Sequence, residues 1–385
     1  MIIDNLDIKK YDDDFYMINN MSTNKYIKLG IKEFNYLLLI KGEKTYDINQ
    51  CNHLSKEQKE ILLSKFEDWG FTYVERNNKF QKKRMDFSNV NIISFEPSGR
   101  LYKILNQMKR IVSPITLIFI LGQSIICGWI FVYKPNGIIY AISNIELSVS
   151  TTLILYVMNV ITGILHELAH ATACLKYTSK VGKMGIKLFY LYPSLYTYVS
   201  STYLVRERRK QLVIASSGLC VNVILGMSSL IGYIVAFELE INIMILFYYF
   251  VLSIGSILYN LLPFIKLDGY WILKAFCRID NLYDKSIILF LQLIYDFKGF
   301  CKNNIVGKKK FFMTFYGGVN LLFHLIFWSY SIRYVYLIFN DYVMGYLMII
   351  VFLILGIIVM INSVKFLRKY NNIYKKDSKR ILSSI

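Results

Sequence analysis

The sequence predicts an α-helical multi-pass membrane protein of about six transmembrane helices with a membrane-associated β-hairpin, preceded by a small N-terminal α+β, winged-helix-like cytosolic domain. Three observations predict it. Hydrophobic residues make up 55% of the 385 residues and aromatic ones 16%, with a mean hydropathy of +0.39. Apolar runs recur that are long enough to cross a hydrocarbon core about 30 Å thick, which takes about 20 helical residues. The first 110 residues differ, being rich in Lys, Asp, Glu and Asn with no stretch that could span. The expected division is 1–110 as the cytosolic domain, 111–370 as the membrane-embedded domain and 371–385 as a basic tail.

The net charge of +19 raises nucleic acid as a partner, but Lys and Arg cluster beside the apolar runs. There they set orientation and meet anionic lipid, so no nucleic acid is expected. The six cysteines show no close pairing and read as thiols. The N-terminus lacks the basic region and apolar core of a cleavable signal, so insertion is left to the spans.

Within the N-terminal part, Tyr26 begins a short strand, and residues 31–41 form a helix with Phe34, Leu37, Leu38 and Leu39 as its apolar positions. Ser55 with Gln58 forms a capping box for a second helix, where Ile61, Leu62, Phe66 and Trp69 follow at helical spacing until Gly70. Residues 71–74 return as a strand. This layout resembles the PqqD-like modules that recognise leader segments of ribosomally made, modified peptides. The resemblance covers about fifty residues and rests on layout alone; a general winged-helix or regulatory domain fits it as well.

The spans are expected at about 112–133, 148–174, 211–237, 241–262, 311–339 and 343–364. Basic residues fall on alternate sides of them, at Lys109/Arg110, Lys176 to Lys187 with Arg206 to Lys210, Lys274 to Lys310 and Lys365 to Arg380. The positive-inside rule makes all of these cytoplasmic, which puts both termini inside a cell-membrane protein. Between the second and third spans, 183–205 is too polar and too short to cross, and it is rich in β-formers. It reads as a hairpin divided at Pro193 and lining the site, with Tyr196 and Tyr198 as candidate substrate contacts.

The second span carries His166-Glu167-Leu-Ala-His170. Positions i and i+4 lie on one helix face about 5–6 Å apart at Cβ, so both imidazoles can reach one metal ion. Glu167 sits beside that ion. This is the spacing of zinc metalloproteases, in which imidazoles hold the metal and the glutamate accepts a proton from water. Ionisable residues cost roughly 2.5–3.5 kcal/mol each at a bilayer centre, which weighs against a purely packing role. Zn2+ is therefore the expected cofactor. Two histidines leave zinc one protein ligand short, and the candidates are Asp268, beyond the fourth span, and His324, inside the fifth.

The pair His166-Glu-Leu-Ala-His170 and Leu267-Asp268-Gly269 resembles the site-2 protease family of intramembrane zinc metalloproteases. That resemblance implies Asp268 as the third zinc ligand, with Glu167 catalytic. Asn260 and Pro263 match as well, and the family implies that Asn260 helps position substrate. Ile265-Lys266 stand where the family often has prolines, and Tyr270-Trp271 follow the glycine. This variant is more similar to the branch named for peptide zinc metalloproteases, found with peptide maturation and export systems. The resemblance covers roughly 150–275 and implies a zinc metalloendopeptidase acting on a peptide or membrane-protein substrate. Its partners would be peptide-modification or export proteins. Two other functions fit the same features: a regulatory protease releasing a membrane-tethered factor, and a non-proteolytic transport or immunity protein with a structural zinc.

Overall fold

The computed structural model describes residues 6–10, 15–20, 25–41, 89–178, 181–189, 192–198, 207–279, 281–301 and 307–339, with a few single positions between them. The expected second N-terminal helix, apart from single positions within it, the strand at 71–74, the sixth span and the basic tail lie outside the described residues. The chain divides into two compact units, Met1–Leu261 and Leu262–Ile385.

The first unit begins with three antiparallel strands, β1 (Leu6–Lys10), β2 (Phe15–Asn20) and β3 (Lys25–Gly30), followed by helix α1 (Ile31–Lys41). Tyr16 and Ile18 of β2 and Ile27 and Leu29 of β3 turn inward with period two, and Phe34, Leu37 and Leu38 close over them from α1. Phe66 is fully buried in the same core. Strands β1 and β2 are an addition to the expected layout. Their Asp, Lys and Asn content conceals the alternation.

Strand β4 (Asn89–Phe95) leads into α2 (Gly99–Met108), α3 (Pro114–Tyr133), the short α4 (Pro135–Ser143) and α5 (Val149–Thr178). Strands β5 (Met184–Phe189) and β6 (Tyr192–Thr197) follow, then α6 (Arg208–Glu238) and α7 (Met244–Leu261). The hairpin is therefore present, but it is part of a three-stranded antiparallel sheet ordered β4-β5-β6. Pro193 does not divide it. It is the second residue of β6, opposite Leu188, and proline's missing N–H is tolerated there because β6 is an edge strand.

The second unit contains α8 (Asp268–Cys277), α9 (Leu282–Tyr295), α10 (Phe297–Cys301) and α11 (Gly307–Phe339). Helices α9 and α11 pack so closely that a Cβ at Gly317 would lie 2.1 Å from the Ser286 carbonyl oxygen. Tyr270, Leu282, Leu289, Met313 and Tyr316 form the core of this unit.

Five described helices, α3, α5, α6, α7 and the first part of α11, are long and apolar enough to cross a membrane. They coincide with the first five expected spans. Most of their exposed side chains are apolar, as on α3, where Ile115, Leu117, Ile118 and Ile125 face outward. A surface of this kind suits hydrocarbon rather than water. Helix α6 is the most enclosed, because α3, α5 and α7 all pack on it.

Candidate metal centre

Helix α5 changes character along its length. Val149, Leu153, Ile154, Tyr156, Val157 and Ile161 are exposed, whereas His166 and the run from His170 to Leu175 are buried. The change occurs at the His-Glu-x-x-His motif. Both imidazoles point toward α6, which supplies a partner for each.

The Nδ1 atom of His170 lies 2.8 Å from the Ile214 carbonyl oxygen and 3.2 Å from the Ser217 hydroxyl. A carbonyl only accepts, so Nδ1 carries the proton and donates it. The Nδ1 atom of His166 lies 3.2 Å from Oδ1 of Asn222. The Nδ2 of the same amide donates to the Ser256 hydroxyl at 3.2 Å, and its Oδ1 accepts from His166. Both rings are thus in the tautomer whose Nε2 holds a lone pair.

Those two Nε2 atoms lie 3.2 Å apart. Two lone pairs at that distance repel unless a cation sits between them. Two nitrogens on a tetrahedral zinc, each at about 2.0–2.1 Å, would stand about 3.3 Å apart. Donor type, tautomer and spacing therefore fit a divalent metal. Space is kept clear for it by Gly218, where a Cβ would lie 2.4 Å from Nε2 of His166 and 2.5 Å from Nε2 of His170. No other residue type fits there without displacing the rings.

Glu167 follows on the same helix and is half-buried. Its backbone carbonyl accepts a hydrogen bond from Thr197 Oγ1 at 3.0 Å, which fastens β6 to the motif. Alternation along the strand sends Tyr196 to the opposite face, where the Lys187 ammonium lies 5.5 Å from its ring centre. Burial pushes the Lys187 ammonium below the usual lysine range, and the Glu167 carboxylate pulls it part of the way back. Tyr198 is exposed just beyond β6, its N–H bonded to the Lys183 carbonyl at 2.7 Å.

Asn260 stands one residue before the end of α7 and donates to the Ser256 carbonyl at 3.0 Å and to the Ser256 hydroxyl at 3.5 Å. It joins the network that ends on His166. Asp268, in the second unit, is the first residue of α8 and half-buried. His324 lies in mid-helix on α11, where its Nδ1 donates to the Asn320 carbonyl one turn back at 2.9 Å. Its ring meets Tyr283 and Phe323 edge-on at 6.1 and 5.7 Å.

Sequence reasoning missed Ser217, Gly218, Asn222 and Ser256. A signal was available, since Asn222 is a buried amide inside an apolar span, and such residues are costly unless partnered. Which partner it takes depends on the rotation of α6 against α5 and α7, and periodicity within one helix does not give that.

One curated relative, named "Putative peptide zinc metalloprotease protein YydH" from Bacillus subtilis (strain 168), is 27% identical over 228 residues, covering 57% of this chain and 86% of the relative. No family model matches the chain. No solved structure matches it.

Proposed function

We propose that this chain is a membrane-embedded zinc metalloendopeptidase of site-2 protease type. It cleaves a peptide or membrane-associated protein near the cytoplasmic face, in the maturation or export of a ribosomally made peptide. The observation that carries this reading is the pair of imidazole nitrogens, both in acceptor form and 3.2 Å apart, with Glu167 next to His166 on the same helix. The name of the Bacillus subtilis relative supports it at the level of a zinc metalloprotease. His166 and His170 would hold the metal, and Asp268, placed by its Leu-Asp-Gly context, would complete the protein ligands.

Zinc, when held there, supplies a Lewis acid for the scissile carbonyl and brings the pKa of water toward about 7. Glu167 is turned about 100° round the helix from His166, so it stands beside the ligands rather than among them. Its carboxylate takes a proton from the attacking water and delivers it to the leaving amine. A helical substrate hides its carbonyls in its own hydrogen bonds, so it must be extended first. Edge strand β6, fastened to Glu167 by Thr197, offers backbone groups to an extended segment. Asn260 fixes the substrate backbone. The N-terminal module holds the part of the substrate outside the membrane, and both termini lie in the cytoplasm.

The Glu167→Gln protein tests the class. It should retain zinc and cleave at least about 10²-fold more slowly, the lower end for general acid–base catalysis. Substrate trapped on this variant can be identified by mass spectrometry. Unchanged biological output with zinc retained would move the chain to the transport or immunity reading.

A further inference from the structure

Three side chains from two helices connect His166 to the end of α7. Asn222 Oδ1 accepts from His166 Nδ1 at 3.2 Å, and Asn222 Nδ2 donates to Ser256 Oγ at 3.2 Å. Asn260 Nδ2 reaches the same hydroxyl at 3.5 Å. Asn222 is only 2% exposed, so its amide has no water to fall back on. An apolar residue of similar size offers neither of these bonds. The amide is therefore informative: it alone supplies an acceptor on one side and a donor on the other. The partner of His170 is different, since Ile214 offers a backbone carbonyl that no substitution removes.

We propose that Asn222 is the positioning residue of this site: it fixes His166 in the metal-binding tautomer and ties that ring, through the Ser256 hydroxyl, to Asn260. This rests on the metal reading above. Without the acceptor, the His166 ring is free to rotate or to carry its proton on Nε2, which removes the lone pair from the metal. Outer partners of this kind are worth about 10–100-fold in metal affinity. The donor half has a separate consequence. Asn260 keeps its 3.0 Å bond to the Ser256 backbone carbonyl whatever side chain stands at 256, and its 3.5 Å contact with the hydroxyl is the part that a loss on that side removes while the metal stays in place.

The test uses the purified full-length protein and zinc alone, titrated into the metal-free form against a competing chelator, with cobalt spectra as a second readout and thermal melting to establish folding. Asn222→Leu should weaken zinc binding about 10–100-fold and alter the cobalt spectrum. Asn222→Asp restores the acceptor and lacks the donor, so it should bind zinc as the natural protein does. Ser256→Ala should also leave zinc affinity unchanged. If Asn222→Leu does not fold, Asn222→Ser takes its place with the same expectation, because serine is too short to reach both partners. Natural zinc affinity in folded Asn222→Leu or Asn222→Ser overturns the proposal, and so does an Asn222→Asp protein that binds as weakly as they do. Where substrate is in hand, Asn222→Asp and Ser256→Ala should share a raised KM. Zinc affinities in the expected order without any peptide cleavage would sink the protease reading and leave the role of Asn222 standing.

Discussion

The histidines of α5 and the histidine of α11 are the same side chain in similar surroundings, each inside a long apolar helix, and they end up in different roles. His324 donates Nδ1–H to a carbonyl of its own helix and lays its ring against two aromatic edges. His166 and His170 donate Nδ1–H to a neighbouring helix, and this turns both Nε2 lone pairs onto one point. A polar residue in an apolar span is therefore not by itself a mark of chemistry. What decides is whether its second nitrogen is anchored from outside its own helix, because only then is the first one aimed.

The largest effects should separate these two regions outright. His166→Ala and His170→Ala should lose both zinc and cleavage, and Asp268→Ala should do the same if it completes the ligand set. His324→Ala should retain stoichiometric zinc and lose only the stability of one hydrogen bond and its ring contacts, about 1–2 kcal/mol by thermal melting. Zinc and activity kept in Asp268→Ala but lost in His324→Ala would reverse the assignment.

A smaller change probes the cleared space rather than the ligands. Gly218→Ala puts a methyl group about where the two Nε2 atoms converge, so zinc affinity should fall by at least about 10-fold, the low end for disturbing a ligand's support. Gly232→Ala on the same helix meets only a Leu246 methyl at 3.4 Å and serves as the control. Equal zinc affinity in the two variants would mean that the rings are not held where the structure puts them.

The smallest effect concerns the sheet. Thr197→Val keeps shape and removes the hydrogen bond to the Glu167 carbonyl, worth about 0.5–1.5 kcal/mol. Zinc binding should be unchanged while kcat/KM for an extended peptide falls by about 2–10-fold, that range of energy expressed as a rate. No change would detach the hairpin from the reaction.

Much of this was legible in the residues. The spacing of His166, Glu167 and His170 is local, and an α-helix converts it directly into a shared face. The five spans follow from run length, and α1 from its apolar period. What was not legible depends on one element meeting another far away in sequence. The Asn222 and Ser256 contacts need the packing of α5, α6 and α7. The pairing of β4 with β5 could not be read from β4, whose residues 92–95 are exposed and show no one-sided pattern. Helix α9 lies within the basic stretch Lys274 to Lys310 and is hard to read there, because Asp284 and Lys285 stand among its buried positions Leu282, Ile287 and Leu289.

The sheet that holds the hairpin has a consequence in time. Phe95 of β4 pairs with Met184 of β5, close to 90 residues later in the chain, and helices α2 to α5 lie in the loop between them. At about 5–20 residues per second, a ribosome takes roughly 5–20 s to deliver that partner after β4 has emerged. For that interval β4 is an unpaired strand showing Ile92, Ile93 and Phe95, the kind of edge that recruits wrong neighbours. Its pairing also has to wait until α3 and α5 have been made. The sheet is thus completed only after the helix bearing the histidines has been made.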